Sequence, residues 1–343
     1  MGKIRIKSEK VAVYHITARI IHQRFLLADV QREVWVRALH RAAAFSGIEL
    51  ITYCAMGNHA HILVRIDPVA RECGDDELVR RFTALYGTSR AAWCGLDARG
   101  LAHAFSQGDT TEATLLRTRL RARMGDVSEF MRTLRQRYTK WFNHTYDTAG
   151  TLWAERFGSV LVEDTPWLVG LVAAYIDLNP VRAGLVRLPE DYRWCGYAEA
   201  IAGNKDLRRS LACCCPGEGD TMQALARYRL RMLGRGAAAK RDGTGARINR
   251  EALLEAVRAD GELEPHELLQ LKLRFMTQGA ALGSPEWLDE GDGAAALGRM
   301  RKPPGTAPLN VLDGTGIAVA GRRHAGASAI SLPRGASPEE PHE

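Results

Sequence analysis

The chain has 343 residues, 46% of them hydrophobic, and a formal net charge of +7. That is enough apolar content for a full core in one large domain or two smaller ones, and the basic balance points to a polyanionic partner. Three classes are set aside. No apolar run approaches the length of a membrane span. Met1–Lys7 has no signal-peptide core behind its charges. The seven cysteines have irregular spacing, which fits a reducing, cytosolic setting better than a disulfide framework.

The first predicted strand is Val11–Ala18. A helix follows from Asp29, a candidate N-cap, with Trp35, Ala38, Leu39, Ala42 and Phe45 at helical spacing and Gly47 as its stop. Residues 49–66 read as a hairpin turning at Gly57-Asn58.

The second arm of that hairpin carries His59-Ala60-His61. Strand side chains alternate, so both imidazoles leave on one face, while Ala60, Ile62, Val64 and Ile66 leave on the other and are fit for burial. Two neutral imidazoles side by side form half of a divalent-metal site. Ordinary surface histidines are the alternative.

Residues 67–127 read as an insertion of short helices and loops, with Gly100 and Gly108 as breakers. A strong helix then spans 127–146, its apolar stripe running Val127, Phe130, Met131, Leu134, Tyr138, Trp141, Phe142. Ser159–Glu163 reads as a strand, and Thr165-Pro166 opens a helix that carries Leu168, Leu171, Val172 and Tyr175 and ends at Asn179-Pro180. Segments 221–233, 249–260 and 264–277 look helical. From 291 onward Gly, Ala, Pro and Arg dominate without periodicity, the composition of a disordered tail. The Cys213-Cys214-Cys215 run reads as a small-residue patch at a loop.

Tyr138 is the candidate nucleophile, provided its helix covers the histidine face; Tyr146 is its rival near the helix end. Free tyrosine titrates near 10, so at neutral pH only about one in a thousand is phenolate, a deficit of about 4 kcal/mol that a bound cation can partly offset. Attack on a phosphodiester gives a 5′-phosphotyrosine and a free 3′-hydroxyl. A core aromatic is the competing reading of Tyr138. Between 117 and 143, eight cations against two acids leave +6, nearly the surplus of the whole chain. Arg132, Arg135, Arg137 and Lys140 therefore read as a phosphate-tracking surface, extended by Arg19, Arg24 and Arg65.

Five blocks carry a resemblance: Tyr14–Arg19; Met56–Val64; Phe130–Leu134 with Tyr138–Asn143; Gly150–Trp153 with Arg156-Phe157 and Ser159; and Tyr175–Gly184. Together they resemble the REP-associated tyrosine transposases, a branch of the single-tyrosine HUH transposases of bacterial insertion sequences. The resemblance covers roughly residues 9–200. It implies an α+β fold, an antiparallel sheet with packed helices of the HUH or ferredoxin-like kind. On that reading 9–200 is the catalytic domain interrupted at about 67–127, 206–290 is a mostly helical extension, and 291–343 is the tail. It also implies a Mg²⁺ or Mn²⁺ cofactor held by His59 and His61, Tyr138 as nucleophile, and single-stranded or hairpin DNA as substrate. Arg156 joins the DNA-binding set. The expected protein is a monomer or homodimer, cytoplasmic and nucleoid-associated. Relatives often supply a third ligand, an amide one helical turn past the tyrosine. Here Phe142 stands four residues on, and Asn143 serves only if the helix end is distorted. A hydrolytic metallonuclease and a non-catalytic hairpin-binding protein remain the alternatives.

Overall fold

Two split β-α-β units build the sheet that positions the site. The computed structural model describes residues 6–21, 26–237, 280–298, 310–312 and 317–320. β1 (Ala12–Arg19) leads through α1 (Asp29–Ser46) to β2 (Glu49–Ala55) and β3 (His59–Ile66). After α2 (Asp75–Tyr86), α3 (Ala98–Ser106) and α4 (Thr111–Arg121), α5 (Val127–Tyr146) leads to β4 (Gly158–Val162). The strand order begins β2-β3-β1-β4, with each of these neighbours antiparallel. The expected α+β class is therefore present. A β-α-β crossover is right-handed almost without exception. Two such crossovers in this order put α1 and α5 on one face of the sheet, where they pack on each other.

That face is the apolar one. Trp35 of α1 is fully buried with its ring 6.3 Å from that of Tyr53, and Tyr53 is the register partner of Ile62. α1 ends as expected at Gly47, whose φ of 64° is the left-handed conformation glycine adopts without strain. Its N-cap is Ala28 rather than Asp29, which lies inside the first turn.

The opposite face is closed by elements after β4. Thr165 caps and Pro166 starts α6 (Pro166–Asp177), which packs on β2 and β3. Apolar on nearly every side, α6 is buried along most of its length. α7 (Asn179–Arg182), α8 (Gly196–Ile201), α9 (Lys205–Ala212) and α10 (Thr221–Ala237) follow, and α9 and α10 complete that layer.

The insertion has its own core, built from Leu78, Phe82, Leu85, Leu101, Leu116, Leu120 and Met124, with Phe45 of α1 joining it. At the other end the sheet runs further than the sequence indicated. β5 (Ala281–Gly283) pairs parallel with β4; α11 (Pro285–Asp289) and α12 (Asp292–Gly298) follow it. β6 (Asn310–Leu312) and β7 (Ile317–Ala320) complete a seven-stranded order, β2-β3-β1-β4-β5-β7-β6. Among the described residues the extension is mostly helical, as expected, with the short strand β5, and β6 and β7 fall within the stretch that reads as a tail. Strands of three or four residues are too short for alternation to mark them. The expected helix at 221–233 is α10; those at 249–260 and 264–277 lie outside the described residues. No helix among the described residues is long and apolar enough to cross a membrane.

Candidate active site

Register assembles the histidine face. Arg19 pairs with His59 and Thr17 with His61, so Arg19, Thr17 and His15 point to the same side as the His-x-His pair. His15 was not singled out from the sequence, yet it lies directly behind the pair. Its Nε2 is 3.0 Å from His61 Nδ1, and the two rings stack with centroids 5.1 Å apart. His59 Nδ1 lies 2.6 Å from Asn58 Oδ1, which can only accept, so the His59 proton sits on Nδ1 and Nε2 keeps its lone pair. The His15–His61 contact admits two proton placements, and the one with the proton on His61 Nδ1, donated to His15, leaves His61 Nε2 able to ligate.

Both imidazoles are held neutral. Burial, with Arg19 beside it, lowers His59 to about 4. Burial, then the positive charge available to His15, His59 and Arg19, pushes His61 well below its ordinary value. Neutral imidazoles can ligate without first losing a proton. Among the described residues no three His, Cys, Asp or Glu side chains converge on one metal-binding point, so the rest of a cation's shell has to come from amide, phosphate or water oxygen.

The tyrosine beside this pair is Tyr175, not Tyr138. The Tyr175 ring stands edge-on to both His61 (5.7 Å between centroids) and His15 (5.9 Å). It is half-buried, whereas its neighbours Ala174 and Ile176 are buried. Burial raises the Tyr175 pKa, against the opposing pull of Arg182 and Arg19. One turn on, Asn179 donates from Nδ2 to the carbonyls of Tyr175 (2.9 Å) and Ile176 (3.3 Å). Both bonds use the amide nitrogen, which leaves Oδ1 as the end that can face a cation.

Tyr138 is on the other side of the sheet. It is 1% exposed, its hydroxyl donates to the Gln31 carbonyl of α1 at 3.1 Å, and its ring packs against Trp153 and Trp141. Trp153 bridges to Ile20, which continues β1 on its apolar face. Burial, then Tyr146, raises the Tyr138 pKa far above 10. Tyr138 is a core aromatic in this arrangement, and Tyr146 lies on the same side, bonded to Gln31. Nor does Asn143 face the histidines: its Nδ2 donates to the Gly150 carbonyl and its Oδ1 accepts from Thr148, so both ends of the amide close the turn after α5.

The predicted cations scatter. Arg19 is exposed on the histidine face, level with His59, and Arg156 is exposed in the loop before β4. Arg132, Arg135 and Lys140 line a groove of about 780 Å³ between α5 and residues 150–157. Arg132 pairs there with Glu129. Arg135 lies over the Trp153 ring and donates to the Glu155 carbonyl. Arg137 instead lies 5.1 Å over the Tyr86 ring, toward the insertion. Arg65 is held by Asp164 and Glu49, and Arg24 lies outside the described residues.

Asp177 anchors the helix that carries Tyr175. Its buried carboxylate accepts from Thr52 Oγ1 (2.6 Å), Tyr228 Oη (2.5 Å) and Cys195 Sγ (3.2 Å), tying α6 to β2, α10 and the segment entering α8. Burial raises its pKa to about 6, against these hydrogen bonds. Cys214 and Cys215 are buried and every cysteine is free; the Cys214 carbonyl abuts Gly170 of α6, so the cysteine run is a close-packed turn.

Fold and site together define a mixed α/β protein with stacked imidazoles beside the Tyr175 phenol, and Arg182 near the same ring. No family model matches the chain, and no curated protein matches it. Among solved structures it is similar to a REP-associated tyrosine transposase bound to a REP hairpin: 15% identity, TM-score 0.37, with 64% of this chain and 93% of that chain covered.

Proposed function

We propose that the chain is a metal-dependent DNA endonuclease and strand transferase of the tyrosine transposase kind, with Tyr175 as its nucleophile. The carrying observation is the Tyr175 ring edge-on to His61, with Asn179 one turn beyond it. This is the tyrosine-plus-amide spacing that Tyr138 and Asn143 fail to provide, and it falls within the Tyr175–Gly184 block of the sequence resemblance.

His59, His61 and the Asn179 oxygen suit a divalent cation that keeps phosphate or water oxygens for the rest of its shell, as Mg²⁺ and Mn²⁺ do. Such a cation, when bound, polarises the scissile phosphate and offsets its charge. On this reading His61 Nδ1 donates to His15 and His59 Nδ1 to Asn58, which leaves both Nε2 atoms to ligate. The Tyr175 oxygen bonds to phosphorus as the bond from phosphorus to the 3′ oxygen breaks. The phenol proton passes to water and the departing 3′ oxygen takes one up, so no net proton is consumed. Because the diester bond is kept as phosphotyrosine, a 3′-hydroxyl can later reverse the step. The substrate class, single-stranded or hairpin DNA, follows from the basic surface and the same sequence blocks.

The test is incubation of the full chain with Mn²⁺ and hairpin-bearing single-stranded DNA, followed by a denaturing gel. A covalent protein–DNA species is expected from wild type and from Tyr138→Phe, and none from Tyr175→Phe. Cleavage without an adduct would instead support water as nucleophile. Hairpin binding without cleavage under any divalent cation would support a non-catalytic protein.

A further inference from the structure

Arg182 closes α7, the short helix that follows the one carrying Tyr175. Its guanidinium carbon lies 5.7 Å from the centre of the Tyr175 ring. Its Nη1 is buried and has no hydrogen-bond partner. A buried donor without an acceptor is costly in a folded chain, and an arriving anion would remove that cost.

The surroundings favour an anion there. Arg19, level with His59 in the register, brings a second guanidinium to the surroundings of Tyr175. Among the described residues neither arginine forms an ion pair with a carboxylate. The nearest acid along the chain, Asp177, is turned into the core toward Thr52, Cys195 and Tyr228. Two guanidiniums therefore stand beside Tyr175, and among the described residues neither is paired with a carboxylate.

We propose that Arg182 is a phosphate-binding residue that grips the nonbridging oxygens of the phosphate presented to Tyr175, with Arg19 as its outer partner. A guanidinium offers parallel N–H groups matched to two oxygens of a phosphate, which fixes orientation as well as charge. During attack the negative charge on those oxygens grows, and a donor already in place stabilises it. Afterwards the same contact holds the phosphotyrosine diester until a 3′-hydroxyl returns. The catalytic consequence rests on the Tyr175 reading; the anion binding does not.

The experiment separates the two. Inorganic phosphate is titrated, without metal, into full-length wild type, Arg182→Gln and Tyr175→Phe and followed by ³¹P line broadening. Arg182→Gln should weaken phosphate binding at least about tenfold, while Tyr175→Phe should leave it intact. Equal affinity in wild type and Arg182→Gln, or no binding by wild type, overturns the proposal.

Single-turnover adduct formation gives the second readout. Arg182→Gln should be about 100-fold slower, the size of effect seen when one charge-stabilising donor is lost, with hairpin affinity little changed. Arg182→Lys should recover part of the rate, and added guanidinium ions should partly restore Arg182→Ala. Slowing that neither relieves, accompanied by a lower unfolding midpoint, would mark Arg182 as structural and overturn its role. A wild type that forms no adduct sinks the Tyr175 reading and leaves the phosphate titration to decide Arg182.

Discussion

His15 Nε2 lies 3.0 Å from His61 Nδ1, with both residues buried and their rings stacked. A ligand imidazole is only as well aimed as the group that holds its other nitrogen, and losing such a group typically weakens metal affinity about 10–100-fold. His15→Leu should therefore weaken Mn²⁺ binding by about tenfold or more, read by calorimetry on the DNA-free protein. His15→Gln, which can still accept from His61, should lose less. Unchanged affinity in His15→Leu would remove His15 from the site.

Tyr138 offers a contrast in the same assay. Its hydroxyl makes one hydrogen bond, to a backbone carbonyl, so Tyr138→Phe should cost about 1 kcal/mol of stability. Denaturant unfolding measures that cost. Adduct formation should persist, because the ring packs on the face away from the histidines. An adduct lost in Tyr138→Phe at temperatures where the protein is folded would return the nucleophile to α5.

The groove beside α5 gives a prediction in salt dependence. Arg132 and Lys140 face it, while Arg137 is turned toward Tyr86. Each phosphate contact to a single strand contributes about −0.7 to the slope of log affinity against log salt. Arg132→Gln and Lys140→Gln should each reduce the magnitude of the slope for single-stranded DNA by about that amount, and Arg137→Gln should leave it alone. Equal slopes in all three variants would show that the groove does not track the backbone.

Much of the fold was readable because periodicity is local. The stripe from Val127 to Phe142 marks α5 with its observed ends, and Pro166 and Asn179-Pro180 bracket α6. What periodicity cannot give is the face a helix covers. A stripe shows that a helix packs, not on what, so the run from Val127 to Phe142 is equally compatible with Tyr138 over either face. Handedness would have decided it: right-handed β-α-β crossovers put α1 and α5 on one face, and Ala60, Ile62 and Val64 make that the apolar one. The histidine face was then left for α6, whose Tyr175 and Asn179 already stood four residues apart. His15 was readable only from register, and an orphaned Arg182 nitrogen only from three-dimensional packing. β5 to β7 are too short to be read without their partners.

Gly196 tests how firmly that layer must sit. A Cβ there would stand 2.3 Å from Thr52 Oγ1 and 2.9 Å from both Thr52 Cα and Tyr53 N. Two of these three atoms are backbone in β2, so neither neighbour can swing aside. Thr52 is also the residue that donates to Asp177, two positions past Tyr175. Gly196→Ala should therefore act twice. Overpacking should lower stability by about 1–3 kcal/mol, read as a shift in the unfolding midpoint. Displacement of Thr52 should loosen the end of α6 and slow adduct formation even where the variant remains folded. Gly196→Ala with wild-type stability and wild-type rate would mean that β2 and the segment entering α8 are not in the close contact on which the alignment of Tyr175 depends.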